Sequence, residues 1–206
     1  MPYQDRRLEV SEAAWQVIVR EGLDRTSMRA IAQEMGCTTG VVTHYFRDKQ
    51  ELILFALNQV TERLNTAIAQ ASESVSGAER LVFMLSAFLP CDVEQKDTLR
   101  VWLAFLGYAV GRENLMTEHQ RSATRLRAVL VNELKTLQTA HLLRHDVDPT
   151  LEANALLALV NGLSLDSLIQ ANCLTIDQQK QAIQRYVDGL LIDKLGSTHA
   201  GCLNNG

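Results

Sequence analysis

Thr38, Thr39, Thr43 and His44 crowd into a short stretch of the run TSMRAIAQEMGCTTGVVTHYFRDK, positions 26–49. Hydroxyls and an imidazole at this spacing suit hydrogen bonding at the edges of DNA bases. A hydroxyl can donate or accept there, and a threonine methyl can touch the methyl of thymine. Gly40 sits among them and withholds a side chain where a base or phosphate would come close. At about 100° per residue, a helix over Thr38–Tyr45 puts Thr39, Gly40, Thr43 and His44 on one side. Val41, Val42, Tyr45 and Phe46 fall on the other side and are expected to pack on neighbouring helices.

The flanking residues suit phosphate positioning. Thr26 and Ser27 open the preceding helix, where free backbone N–H groups and the helix dipole favour an anion. Arg25, Arg29, Arg47 and Lys49 form a local basic set. Lys49 falls in the first turn of the next helix, where a cation gains nothing from the dipole, so it is expected to reach a phosphate. Tyr45 can give its ring to packing and its hydroxyl to a phosphate. Two short helices around a glycine turn recur in many bundles. On these residues alone, a merely solvated polar face stands beside DNA binding as an alternative.

The elements that must hold these groups are helical. The chain has 206 residues, 47% of them hydrophobic, and prolines only at positions 2, 90 and 149. Such a composition favours helices and suffices for a sizeable core. Periodicity and punctuation predict nine of them. The first runs over Arg6–Glu21, with Val10, Ala14, Val17 and Ile18 inward and Gly22 as its stop. The second covers Ser27–Met35 and ends at Gly36; the third covers Thr38–Tyr45. The fourth follows Asp48, whose spacing to Glu51 suits a cap, and runs to Ala71. Ser72–Gly77 is a break. The fifth spans Ala78–Leu89, the sixth Glu94–Gly111 and the seventh Leu115–His141. Asp148-Pro149 opens the eighth, to Ala171. Thr175 and Gln178 form a capping box that opens the ninth, to Leu195. The organisation expected is a head at 1–50, a body at 51–195 and a disordered tail at 196–206.

Charge alone does not decide the partner. The head carries seven of the Lys and Arg residues and seven of the Asp and Glu residues, so the net −4 lies entirely in the rest of the chain. Cys37, Cys91, Cys173 and Cys202 are scattered, which argues against a zinc module or a disulfide framework and for reduced thiols in a cytoplasm. His141 and His145 are four apart but lack further ligands at zinc spacing, so no metal is expected. No glycine-rich phosphate loop and no nucleophile elbow occurs, so neither an enzyme nor a cofactor is expected. No basic-then-apolar run opens the sequence, so a secretory signal is not expected, and the longest apolar stretch, Val101–Val110, is too short to span a bilayer.

The span 6–54 resembles the DNA-binding head of the TetR family of bacterial transcriptional repressors. The residues that carry the likeness are Ala14, Gly22, Thr26, Ser27, Ile31, Ala32, Gly36, Thr38, Gly40, Tyr45, Phe46, Lys49 and Leu52. Thr43 departs from the family's usual tyrosine, and Cys37 from its usual small aliphatic residue. The run THYFRDK at 43–49, TTGVV before it and WLAF at 102–105 are similar to the BetI-like, choline-responsive branch. The resemblance implies an all-α, two-domain fold, a homodimer on a palindromic double-stranded operator, and release by a small-molecule effector that enters the body. Choline or a related amine is the effector class it suggests. Base contact is expected from Thr38, Thr39, Thr43 and His44. Phosphate contact is expected from Thr26, Ser27, Arg29, Tyr45 and Lys49.

In the body, Phe83, Met84 and Phe88 lie on the fifth helix and Trp102, Phe105, Leu106 and Tyr108 on the sixth. Only 5% of the chain is aromatic, so this clustering concentrates its rings. These residues, with Asn161 and Asp166, are expected to line an effector pocket whose rings could hold a cation. Ordinary core packing is the competing reading for each ring. The resemblance also implies a four-helix bundle across a two-fold axis. Ala155, Leu156, Leu159, Gly162 and Leu163 are expected on that surface, with Ile183, Val187 and Leu191 of the ninth helix. Two alternatives accompany the regulator: a thiol sensor gated by Cys37, and a helical protein-interaction module with no DNA role.

Overall fold

Gly36 turns the chain where the head needs it to turn. Its φ of +62° is a left-handed value that glycine adopts at little cost. Its N–H donates to Gln33 O at 3.1 Å, and Cys37 N donates to Ala32 O at 2.9 Å. These two bonds close a Schellman motif, satisfying carbonyls that the end of a helix would otherwise leave bare. The next helix therefore starts at once and in a fixed direction.

A computed structural model describes residues 3–72, 75–170 and 173–192. Among them the chain forms α1 (Tyr3–Glu21), α2 (Met28–Glu34), α3 (Thr39–Tyr45), α4 (Lys49–Ser72), α5 (Gly77–Ser86), α6 (Val93–Ala109), α7 (Glu113–Thr139), α8 (Pro149–Ile169) and α9 (Ile176–Leu190). The expected nine helices are all present, with ends shifted by a few residues. The expected tail at 196–206, the last residue of the eighth helix and the last turn of the ninth lie outside the described residues. None of the described helices is long and apolar enough to cross a membrane.

Local caps explain most boundaries. Ser27 accepts from Ala30 N at the start of α2. Asp48 accepts from Glu51 N at 2.9 Å, and Glu51 reaches back to Arg47 N at 2.9 Å. Asp148 caps α8 ahead of Pro149. Thr175 and Gln178 make a complete capping box at α9. The fifth helix was expected to reach Leu89 but stops at Ser86, because Phe88 and Leu89 bond three residues back and Pro90 follows. The ninth was expected to reach Leu195 but stops at Leu190. Leu191 turns extended and forms an antiparallel bridge with Leu143, with Ile192 N donating to Leu142 O at 2.9 Å.

Three apolar clusters organise the packing. The head cluster joins Val10, Ala14 and Val17 of α1 to Ile31, Val42, Phe46 and Leu52. The body cluster is built around α5, which packs on α4, α7, α8 and α9. Between them lies a junction cluster in which Ile18 and Leu23 meet Ile53 of α4, Val101, Phe105 and Ala109 of α6, and Leu115 of α7. The α1–α2 corner of the head is thus packed directly against α6. One ion pair is drawn into the body, where Arg80 of α5 meets the nearly buried Glu133 of α7 at 3.3 Å.

Candidate nucleic-acid interface and effector site

The two faces of α3 divide as their side chains require. Val42 and Phe46 are fully buried in the head. Thr38, Thr39, Gly40, Thr43 and His44 are exposed, while Val41 and Tyr45 are half-buried. A shallow open groove is lined by Thr38, Gly40, Val41, His44 and Tyr45. Thr38 is the N-cap of α3, yet its hydroxyl makes no capping bond. Thr43 returns its hydroxyl proton to Thr39 O at 3.2 Å and Gly40 O at 3.3 Å. Its oxygen remains an acceptor and its methyl remains a contact surface. A methyl added at Gly40 would meet nothing closer than Thr38 Oγ1 at 3.7 Å. The head's own packing therefore does not require glycine there.

Arg7 holds this helix in place. Its guanidinium stands 4.4 Å from the centre of the Phe46 ring and 4.6 Å from that of Phe55, and it pairs with Glu51 at 2.9 Å. One α1 side chain thereby ties the end of α3 to the start of α4. Sequence reading missed Arg7, because the aromatic pair that flanks it forms only in the folded head. Tyr3 was missed too, since the first helix was expected to begin at Arg6. It opens α1 with its ring 5.0 Å from Tyr45 and 6.3 Å from His44.

The phosphate-facing set needs two corrections. Thr26 is buried, and its hydroxyl donates to Gly22 O at 2.8 Å, so it holds the α1–α2 corner rather than facing solvent. Lys49 points inward. Its Nζ donates to Leu23 O at 2.5 Å and lies 5.3 Å from the centre of the Tyr108 ring. Burial is the main reason its pKa falls below the ordinary lysine value, with Arg112 adding to the fall and Asp24 opposing it. A half-buried cation does better against a carbonyl and a ring than unpaired. Ser27, Arg25 and Arg29 are exposed at the start of α2, and Arg47 is exposed beside Asp48.

In the body, the expected aromatic set separates. Trp102, half-buried, and Phe105, buried, meet the imidazole of His119 on α7, with ring centres 6.1 and 6.2 Å apart. His119 was missed, although it occupies the inward register of α7 with Leu115, Leu126 and Leu130. Burial lowers its pKa below the usual histidine value, and Arg127 lowers it further. Tyr108 packs against the same head–body junction cluster that buries Phe105, under the Arg112 guanidinium at 3.9 Å. Leu106 packs in that junction as well. Met84 and Phe88 belong to the body core, and Phe83 is exposed. Asn161 and Asp166 lie on the solvent side of α8 and do not line the interior.

The expected dimer surface is also corrected. Leu156, Leu163, Ile183 and Val187 are core residues of the single protomer. Leu159 and Leu191 are half-buried against that core, and Ala155 is half-buried. The outward stripe of α8 keeps Ala155 and Gly162 of the expected set and adds Leu151, Ala158, Leu165 and Ile169, spaced alternately four and three residues apart. Leu151 is 64% exposed and Ile169 66%. The neighbouring exposed face of α9 is polar, with Gln178, Gln181, Arg185 and Asp188.

Cys37 is a half-buried free thiol packed in the head. Among the described residues, no group of His, Cys, Asp or Glu is placed to hold a metal ion.

Comparison with known proteins accords with this geometry. Residues 11–55 match the family model for bacterial regulatory proteins of the tetR family, and residues 77–192 match the C-terminal domain of the BetI-type transcriptional repressor. The regulator PksA of Bacillus subtilis is 29% identical over 198 residues, covering 95% of each chain. The regulator BetI of Proteus mirabilis is 26% identical, covering 89% of this chain and 90% of its own. A Saccharomonospora viridis protein described as a transcriptional regulator, solved in complex with choline, superposes with a TM-score of 0.84 at 22% identity. That match covers 92% of this chain and 99% of the other. A Pseudomonas aeruginosa PAO1 protein described as a transcriptional regulator is 31% identical with a TM-score of 0.77, covering 92% and 91%.

Proposed function

This chain belongs to the TetR family of bacterial regulatory proteins, in its BetI-type branch, and we propose that it represses transcription in the cytoplasm as a homodimer on a two-fold operator, released by a small amine. The head spans residues 1–50 and the body residues 51–195. The observation that carries the reading is the exposed polar face of α3, held rigid from behind by Val42, Phe46 and the Arg7 clamp. Thr38, Thr39, Thr43 and His44 read base edges in the major groove, and Gly40 lets the helix backbone approach. Ser27, Arg29 and Tyr45 contact phosphates, joined by Arg25 and Arg47.

Dimerisation runs through the outward stripe of α8. An apolar face of this length is unfavourable in water and favours a partner. Gly162 lies in the middle of it with no atom of its own protomer near the position of a missing Cβ. A helix-interior glycine costs about 1 kcal/mol against alanine. That cost is offset when a second backbone packs closely at the same point, as a symmetry-related α8 would.

The effector reading rests on Trp102, Phe105 and His119. Two aromatic rings beside an imidazole whose neutral form burial favours suit a quaternary amine, which aromatic faces attract and a neutral histidine does not repel. The structural relative solved with choline supports the same class. An effector seated between α6 and α7 acts by favouring a body conformation that sets the two heads at the wrong separation. Binding to duplex DNA upstream of the chain's own gene, titrated with salt against a random duplex, tests the core reading. Specific binding that weakens steeply with salt is expected. Equal, weak binding to both duplexes would instead favour a protein-interaction module.

A further inference from the structure

Tyr3 is 51% exposed and takes no part in the buried cluster of the head. Yet its ring is in contact on the DNA-facing side. It lies 5.0 Å from Tyr45, tilted by 42°, and 6.3 Å from His44, edge-on at 76°. His44 and Tyr45 are themselves 4.9 Å apart at 86°. All three spacings fall in the range of favourable aromatic pairs. The result is a chain of three rings running from the first turn of α1 onto the outer face of α3.

The consequence falls on His44. An exposed histidine on a helix can rotate about χ1 and χ2, and each rotamer points its ring nitrogens elsewhere. Rings packed near-perpendicular against the imidazole restrict that choice. They decide where its N–H sits relative to the groove it shares with Thr38, Gly40 and Val41. An imidazole N–H can donate to N7 of a purine or O6 of guanine, and such a bond discriminates between bases only when the donor is held in place.

We propose that Tyr3 is a positioning residue for base recognition: its ring fixes the His44 imidazole and so extends the reading surface beyond the helix-turn-helix onto α1. This rests on α3 being the base reader.

The test is selection from a randomised duplex library by the full chain, as wild type and as Tyr3→Ala, Tyr3→Phe and His44→Ala, with a thermal melt of each. His44→Ala is expected to lose preference at one or two base pairs per half-site. Tyr3→Ala is expected to lose about fivefold or more of the preference at the same base pairs and nowhere else. Tyr3→Phe keeps the wild-type motif, and all four proteins melt alike. The proposal is overturned if Tyr3→Ala selects the full wild-type motif. It is equally overturned if Tyr3→Ala blurs positions that His44→Ala leaves sharp, which marks a general loosening of the head. A His44→Ala motif identical to wild type removes the role of His44 and this proposal together, while leaving DNA reading intact. If wild type enriches no motif, DNA reading itself fails.

Discussion

Lys49 Nζ stands 5.3 Å from the centre of the Tyr108 ring while donating to the Leu23 carbonyl. The first turn of α4, the α1–α2 corner and α6 are thereby fastened at one cation. Arg112 covers the same ring at 3.9 Å, and Asn114 donates to Gln50 at 3.3 Å on the same side. Trp102 and Phe105 lie on α6 a short way before Tyr108. A ligand that moves α6 therefore acts directly on the start of α4, from which the head hangs. That gives the proposed population shift a physical lever.

Lys49→Ala is expected to lower stability by about 1 kcal/mol, the order of one hydrogen bond to a charged group at a half-exposed site. Because the ammonium is held inward, the salt slope of DNA binding should stay unchanged. A slope reduced by about one ion would mean that Lys49 leaves Leu23 for a phosphate in the complex.

Arg29 is exposed at the start of α2 and makes no ion pair among the described residues. Arg29→Ala should weaken binding to every duplex by a similar factor and lower the salt slope by about 0.9. Loss confined to one sequence would make it a base reader instead.

Gly162→Leu and Ala158→Arg fall on the outward stripe of α8, in space that the protomer leaves open. Each should yield a folded monomer by sedimentation equilibrium, with operator affinity lost. Leu156→Ala, by contrast, removes a fully buried side chain and should destabilise by about 2–5 kcal/mol. A dimer that persists in both surface variants would refute this face as the contact.

His119 has its pKa lowered by burial, and further by Arg127, from the ordinary value of 6.5. The unfolded chain therefore takes up the proton first as pH falls. The stability linked to this group is complete above pH 6.5 and is lost as pH drops through the lower folded value. Thermal melts of His119→Gln should show a flatter acid limb than wild type below that pH. Identical limbs would show that His119 titrates normally.

What could be read from the residues alone was local. Asp148-Pro149 and the Thr175–Gln178 box act over four residues and fixed the helix starts where they were expected. The split of α3 into polar and apolar sides also follows from spacing. What escaped depends on residues far apart in the chain. The end of α9 is set by Leu143, nearly fifty positions away. The α8 helix is apolar on nearly every side, so periodicity could not tell its core face, with Leu156 and Leu163, from its outward face, with Leu165 and Ile169. Lys49 looked like a phosphate ligand because the Leu23 carbonyl and Tyr108 converge on it only after folding. His119 joins Trp102 and Phe105 only when α6 and α7 pack.

Hydroxyl-radical footprinting on a duplex selected by the wild-type protein tests most directly whether two α3 helices read DNA together. Two equivalent protected patches are expected on one face of the duplex, with centres separated by roughly 34–36 Å or a multiple of that. A single unpaired patch, or uniform protection without two-fold symmetry, would contradict it.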